Sequence, residues 1–135
     1  MDPEAFATLQ AERACERLVL DYAAFNDAGD WDAVAALYVE RGRMSRPTAP
    51  DDFIEGRDAI LAAFKARPAR TTRHVCANIR VSLVDADTAH VASQILLFTG
   101  ADQYPLVGSY ADMCVLTPDG WRFAERRGSL DFPKP

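Results

Sequence analysis

The sequence predicts an α+β fold, in which helices from the first half cover one face of a curved antiparallel sheet built by the second half. Two observations carry this. Apolar residues recur at three-to-four-residue spacing as far as about Ala66, and from Thr71 onward the period changes to two. Turn signals, Pro118-Asp119-Gly120 the strongest, then cut the second half into four segments of strand length. A length of 135 residues suits a single domain over residues 1–135, large enough to hold a core and a pocket.

The first helix is expected from about Pro3, a tolerated first-turn residue, to about Ala28. Phe6, Leu9, Ala14, Leu18, Tyr22 and Phe25 are its expected inward positions, and Glu12, Arg13, Glu16 and Arg17 its solvated face. Gly29 can adopt the left-handed conformation that stops a helix. Asp30 then caps a second helix whose buried face is Trp31, Val34, Leu37 and Tyr38. Arg41 to Phe53, polar and interrupted by Pro47 and Pro50, reads as a short edge strand followed by a loop. Ile60, Leu61 and Phe64 define a third short helix that ends before Pro68. The strands Thr71–Val84, Thr88–Thr99, Leu106–Thr117 and Trp121–Phe132 follow as a meander.

Composition narrows the function. A net charge of −5, from 15 basic and 20 acidic residues, argues against non-specific binding of nucleic acid, which needs a positive surface. A small apolar molecule is the expected partner. The amino terminus has no basic start followed by an apolar run, and no stretch is long enough to span a bilayer, so the expectation is a cytoplasmic protein without a membrane partner. Cys15, Cys76 and Cys114 lack metal-site spacing and read as reduced core residues, and two histidines outside an HExxH arrangement give no metal site. No glycine-rich phosphate loop, GxSxG elbow or dinucleotide fingerprint occurs, so no cofactor is expected.

The stretch Leu18 to Trp31 reads as the floor of a pocket, since it closes one amphipathic helix and opens another while carrying Tyr22 and Asp27. These two lie about 140° apart around the helix axis, so they share a site only where the pocket wraps the helix end. On the first strand, His74, Cys76, Asn78, Arg80 and Ser82 share one face, and Val75, Ala77, Ile79, Val81 and Leu83 the other. Two readings stand. Either the apolar set faces the core and His74 and Asn78 face water, or His74 and Asn78 line a pocket and another subunit covers the apolar face. The second reading calls for a homodimer or homotrimer through the sheet. His90 is expected on the outer face or in solvent. Asp112 has Arg126 or Arg127 available on the neighbouring strand as a structural ion pair.

The order of these parts resembles the SnoaL-like group of the nuclear transport factor 2-like superfamily. The residues carrying it are the helix from Tyr22 to Asp30-Trp31-Asp32, the start Gly56-Arg57-Asp58-Ala59-Ile60, the strand Thr72-Arg73-His74-Val75 with Asn78, Gly108 to Asp112, and Asp119-Gly120-Trp121-Arg122. The resemblance implies a cone-shaped barrel, a strongly bent sheet wrapped around helices with an apolar pocket between them. Tyr22, Asp27 and His74 are similar in placement to the site of cofactor-free dehydratases such as bile acid 7α-dehydratase and, less closely, scytalone dehydratase. It implies a lyase or isomerase that abstracts a proton beside a carbonyl of an apolar cyclic substrate. His74 would be the base, Asp27 would orient it, Tyr22 would donate to the carbonyl oxygen, and Asn78 would hold a substrate oxygen. The superfamily also implies an alternative: a non-catalytic ligand-binding or assembly module like the small subunit of ring-hydroxylating dioxygenases.

Overall fold

The computed structural model describes residues 1–132; the last three residues of the expected domain lie outside them. Three helices, α1 (Pro3–Ala28), α2 (Trp31–Ala36) and α3 (Arg57–Lys65), accompany six strands. The strands are β1 (Tyr38–Arg46), β2 (Ala49–Glu55), β3 (Arg73–Leu83), β4 (Thr88–Phe98), β5 (Leu106–Thr117) and β6 (Gly120–Leu130). They form one sheet in the order β2-β1-β6-β5-β4-β3, antiparallel except for the parallel pair β1/β6. Helices precede a mostly antiparallel sheet, which is the α+β arrangement expected.

The turn between α1 and α2 follows from its residues. Gly29 sits at φ 70°, its N–H bonded to the Asn26 carbonyl at 3.1 Å, and the Asp30 carboxylate accepts from the Ala33 N–H at 3.2 Å. One residue ends a helix and the next begins another. The inward face of α1, however, is Ala11, Cys15, Leu18, Tyr22 and Asn26, and Phe6 and Leu9 are half exposed. The first two turns of α1 are therefore not part of the core.

Two further expectations are corrected. Residues 41–53 form no loop: Gly42 to Arg46 continue β1, and β2 returns beside it with Met44 opposite Ile54. β1 lies inside the sheet, because its other edge pairs with β6. Short polar strands with prolines resemble loops when the ladder that satisfies them is remote in sequence. β3 also breaks its own alternation. Ala77 pairs with Gln94 but Arg80 with Ala92, so Asn78 and Ile79 together oppose Ser93. Asn78 adopts φ 53°, a left-handed backbone that asparagine tolerates better than branched residues, and the strand reverses phase there.

The reversal divides the strand. His74 and Cys76 point inward before the bulge; Ile79, Val81 and Leu83 point inward after it and pack on the core. The apolar face Val75 to Leu83 therefore does not exist as a continuous bare surface, and the premise of a dimer or trimer built on it falls. The core under the sheet is closed by Val19, Val34, Tyr38, Ile60, Phe64 and Phe123, each nearly solvent-free. Among the described residues, no helix is long and apolar enough to cross a membrane.

Candidate active site

A cavity of about 350 Å³ opens between the end of α1 and the sheet, at the lower end of the size of small-molecule sites. Tyr22 and Asn26 from α1 enter it one turn apart, and His74 enters from β3. Its apolar wall is Met44, Ile95, Leu97, Leu106 and Leu130, and Tyr110 contributes a second phenol. Gly108 belongs to the wall because a Cβ there would come within 2.7 Å of the Ser129 carbonyl. Close strand contact at that point admits no side chain.

Asp27 stands just behind this lining, one residue beyond Asn26. Its Oδ1 lies 2.5 Å from His74 Nδ1 and accepts from the Thr72 hydroxyl at 2.9 Å. Its Oδ2 accepts from the His74 backbone N–H at 2.9 Å. The carboxylate thus grips both the ring and the backbone of the same histidine, which fixes the imidazole in position. An ionised carboxylate only accepts, so Nδ1 carries the proton, and in the neutral imidazole Nε2 keeps the lone pair. No hydrogen bond from a described residue engages Nε2. The side chains of His74 and Asp27 are 11% and 12% exposed, so water has little access to their contact.

Tyr22 is buried with its hydroxyl against the Met44 sulfur at 4.0 Å, and it accepts from the Tyr38 hydroxyl at 3.2 Å. Burial pushes the phenols of Tyr22, Tyr38 and Tyr110 upward, which keeps them neutral donors; the charge of Arg126 offsets only part of that rise. Arg126 lies behind the cavity wall, its guanidinium 3.9 Å from the Tyr110 ring centre and 4.4 Å from that of Tyr22. It donates to Asp112 at 2.8 Å. Burial works against the charge of Arg126, but Asp112 and the tyrosines outweigh it and hold the guanidinium protonated. Burial raises the Asp112 carboxyl, and the nearby guanidinium pulls it back only in part.

Of the residues singled out from the sequence, the structure brings Tyr22, Asp27 and His74 together. Asn78 is not with them. The bulge turns it to the exposed surface outside the cavity, so the expectation that it holds substrate is withdrawn. His90 is exposed on the outer face of β4, as expected. Asn26, Tyr110 and the arginines Arg46, Arg67 and Arg70 also line the cavity and were not singled out for it. Asn26 was legible in principle, four residues after Tyr22 on the same helical face. Among the described residues, no three His, Cys, Asp or Glu side chains converge to hold a metal.

A sheet closed by helices around such a cavity is the fold of the nuclear transport factor 2-like proteins. Within that class the chain belongs to the SnoaL-like domain family, whose profile it matches over residues 7–127. It is similar to a candidate scytalone dehydratase from Novosphingobium aromaticivorans, at 28% identity and TM-score 0.83 over 95% of this chain and 89% of that one. A candidate aromatic ring hydroxylase from the same organism shares the fold at 20% identity and TM-score 0.81, over 93% and 92% of the two chains. A hexachlorocyclohexane dehydrochlorinase, LinA-type3 from Novosphingobium barchaimii, does so at 14% identity and TM-score 0.83, over 97% and 93%. No curated protein matches the sequence.

Proposed function

We propose that the protein is a lyase that works without a cofactor, removing a proton from carbon next to a carbonyl and expelling a β-substituent. The observation that carries this reading is the His74 imidazole tied through Nδ1 to Asp27 while its other nitrogen is left to an apolar cavity. His74 Nε2 takes the proton, and the C–H electron pair moves to the carbonyl oxygen as an enolate. The phenol of Tyr22, and that of Tyr110 across the cavity, donate to this oxygen as charge develops. The enolate then collapses, the carbon–oxygen bond to the β-hydroxyl breaks, and the imidazolium returns its proton to the leaving hydroxide as water. If the proton returns instead to the γ-carbon of an unsaturated ketone, the outcome is isomerisation.

The convergence of Asp27 and His74 favours this reading over a ligand-binding or assembly module, which has no need of an oriented base. The name of the 28%-identical structure, a dehydratase, points the same way.

The test is proton exchange in D₂O followed by NMR, on a panel of cyclic and aromatic β-hydroxy ketones with and without a carboxylate. The protein should accelerate deuterium uptake at the carbon beside the carbonyl and loss of the hydroxyl group. His74→Ala should reduce the rate about 100-fold or more while the circular dichroism spectrum is unchanged. Equal rates with wild type and His74→Ala would overturn the assignment.

A further inference from the structure

We infer that the cavity takes an organic anion: an apolar body inside, and a carboxylate or other oxyanion held at the mouth by Arg46, Arg67 and Arg70. The inference rests on the site proposed above and names the class of molecule that would enter it.

In a chain with five more acidic than basic residues, three arginines line one small cavity, and no aspartate or glutamate lines it. The three come from two connections: Arg46 ends β1, and Arg67 and Arg70 lie between α3 and β3. Arg70 and Pro68 are exposed, Arg46 and Arg67 are half-buried, and Tyr22 and Met44 are buried, so the arginines run inward from the mouth and Tyr22 and Met44 lie deepest. Among the described residues, none of the three makes an ion pair, unlike Arg43, Arg126 and Arg127. Arg46 Nε is buried with no hydrogen-bond partner.

Such a cluster costs free energy in the empty protein. Burial disfavours the charge on Arg67 first, and the like charges of Arg46 and Arg70 add to that. An anion bound among them would relieve the repulsion and satisfy the unpaired Nε. Two of the three are also restrained. Arg46 and Arg67 each precede a proline, which confines their backbones to extended conformations, and the Arg67 guanidinium rests 4.2 Å from the Phe64 ring centre. Arginines placed before a ligand arrives lose less freedom on binding it.

The experiment is isothermal titration of the wild-type protein with 2-naphthoate, 2-naphthyl phosphate and neutral 2-naphthalenemethanol. At least one of the two anions should bind about tenfold or more tightly than the alcohol, the scale of one charge-assisted hydrogen bond, and which one does so separates a carboxylate from a phosphate site. The preference should shrink in high salt. It should fall several-fold in Arg70→Gln, an exposed position that should not disturb folding, and fall further in Arg67→Gln/Arg70→Gln. Equal binding of all three probes, binding of none, or an anion preference undiminished by the double replacement would overturn the inference. Because binding is read without turnover, loss of exchange activity beside an intact anion preference would strike only the role of His74. Activity on neutral ketones with no anion preference would strike only the arginines.

Discussion

Asp27 and Asp112 each hold a basic side chain across elements of the fold, and they do so in opposite ways. Asp27 stands at the edge of a cavity, accepts three hydrogen bonds, and leaves one nitrogen of its partner His74 open. Asp112 and Arg126 are 0% and 2% exposed, sealed by three aromatic rings, and each leaves a polar atom unpaired. The first pair is fully bonded on the protein side and free on the side that faces a ligand. The second is incompletely bonded and faces nothing but protein. A pair of the first kind can exchange a proton with a bound molecule, while one of the second kind can only support the wall that the molecule touches.

Breaking the sealed pair should have the largest effect on stability. Arg126→Met strands a buried carboxylate and removes the cation packed on Tyr22 and Tyr110, so urea unfolding at neutral pH should show a loss of about 3–5 kcal/mol. Adding Asp112→Leu should recover part of that loss, because two well-packed apolar residues replace two buried charges. No recovery would mean that the pair itself, rather than the stranded charge, supplies the stability.

Asp27→Asn should cost less in stability, about 1–2 kcal/mol, since the amide oxygen still accepts from the Thr72 hydroxyl and no charge is stranded. Its effect on exchange should be larger, about 100-fold, because an amide no longer enforces the tautomer that leaves Nε2 unprotonated. Denaturation and the D₂O assay on the same sample separate the two. A variant that loses stability without losing exchange would make Asp27 a structural residue like Asp112.

The smallest effect is spectroscopic. The phenols of Tyr22, Tyr38 and Tyr110 are raised in the fold, so their contribution to stability is complete below the free phenol's value near 10 and is lost as the pH climbs above it. In an alkaline titration followed at the phenolate absorbance, no more than one of the four tyrosines should ionise before the chain unfolds. Reversible ionisation of two or more near pH 10–11 would show that water reaches the wall around Arg126.

The contact between Asp27 and His74 was within reach of the sequence and its surroundings were not, for physical reasons. Asp27 and His74 stand in segments whose period is clear, a helix end and a strand start, but the period alone left His74 facing either water or a pocket, and only the family resemblance placed the two together. The direction of Asn78 could not be derived, because period-two reasoning assumes an unbroken ladder and a single extra residue inverts it. The half-exposed Phe6 and Leu9 were misjudged because a helical stripe does not reveal how far the sheet beneath it extends. Arg46 was passed over because its strand reads as a loop, and Arg67 and Arg70 because they lie in a connection without periodicity, although Arg-Pro occurs at both 46–47 and 67–68. The loops that form the mouth carry the least pattern.

The bulge at Asn78 lets one strand serve two masters. A ladder with strict alternation would commit all eleven residues of β3 to a single choice, site or core. With one residue more, the portion before it can vary with the ligand while the portion after it keeps the helices seated. Deleting that residue would invert the whole portion before it, turning His74 and Cys76 out and Val75 and Ala77 in, while the portion after it kept its face. Along this strand, a single insertion separates a wall that only packs from one that also lines the cavity.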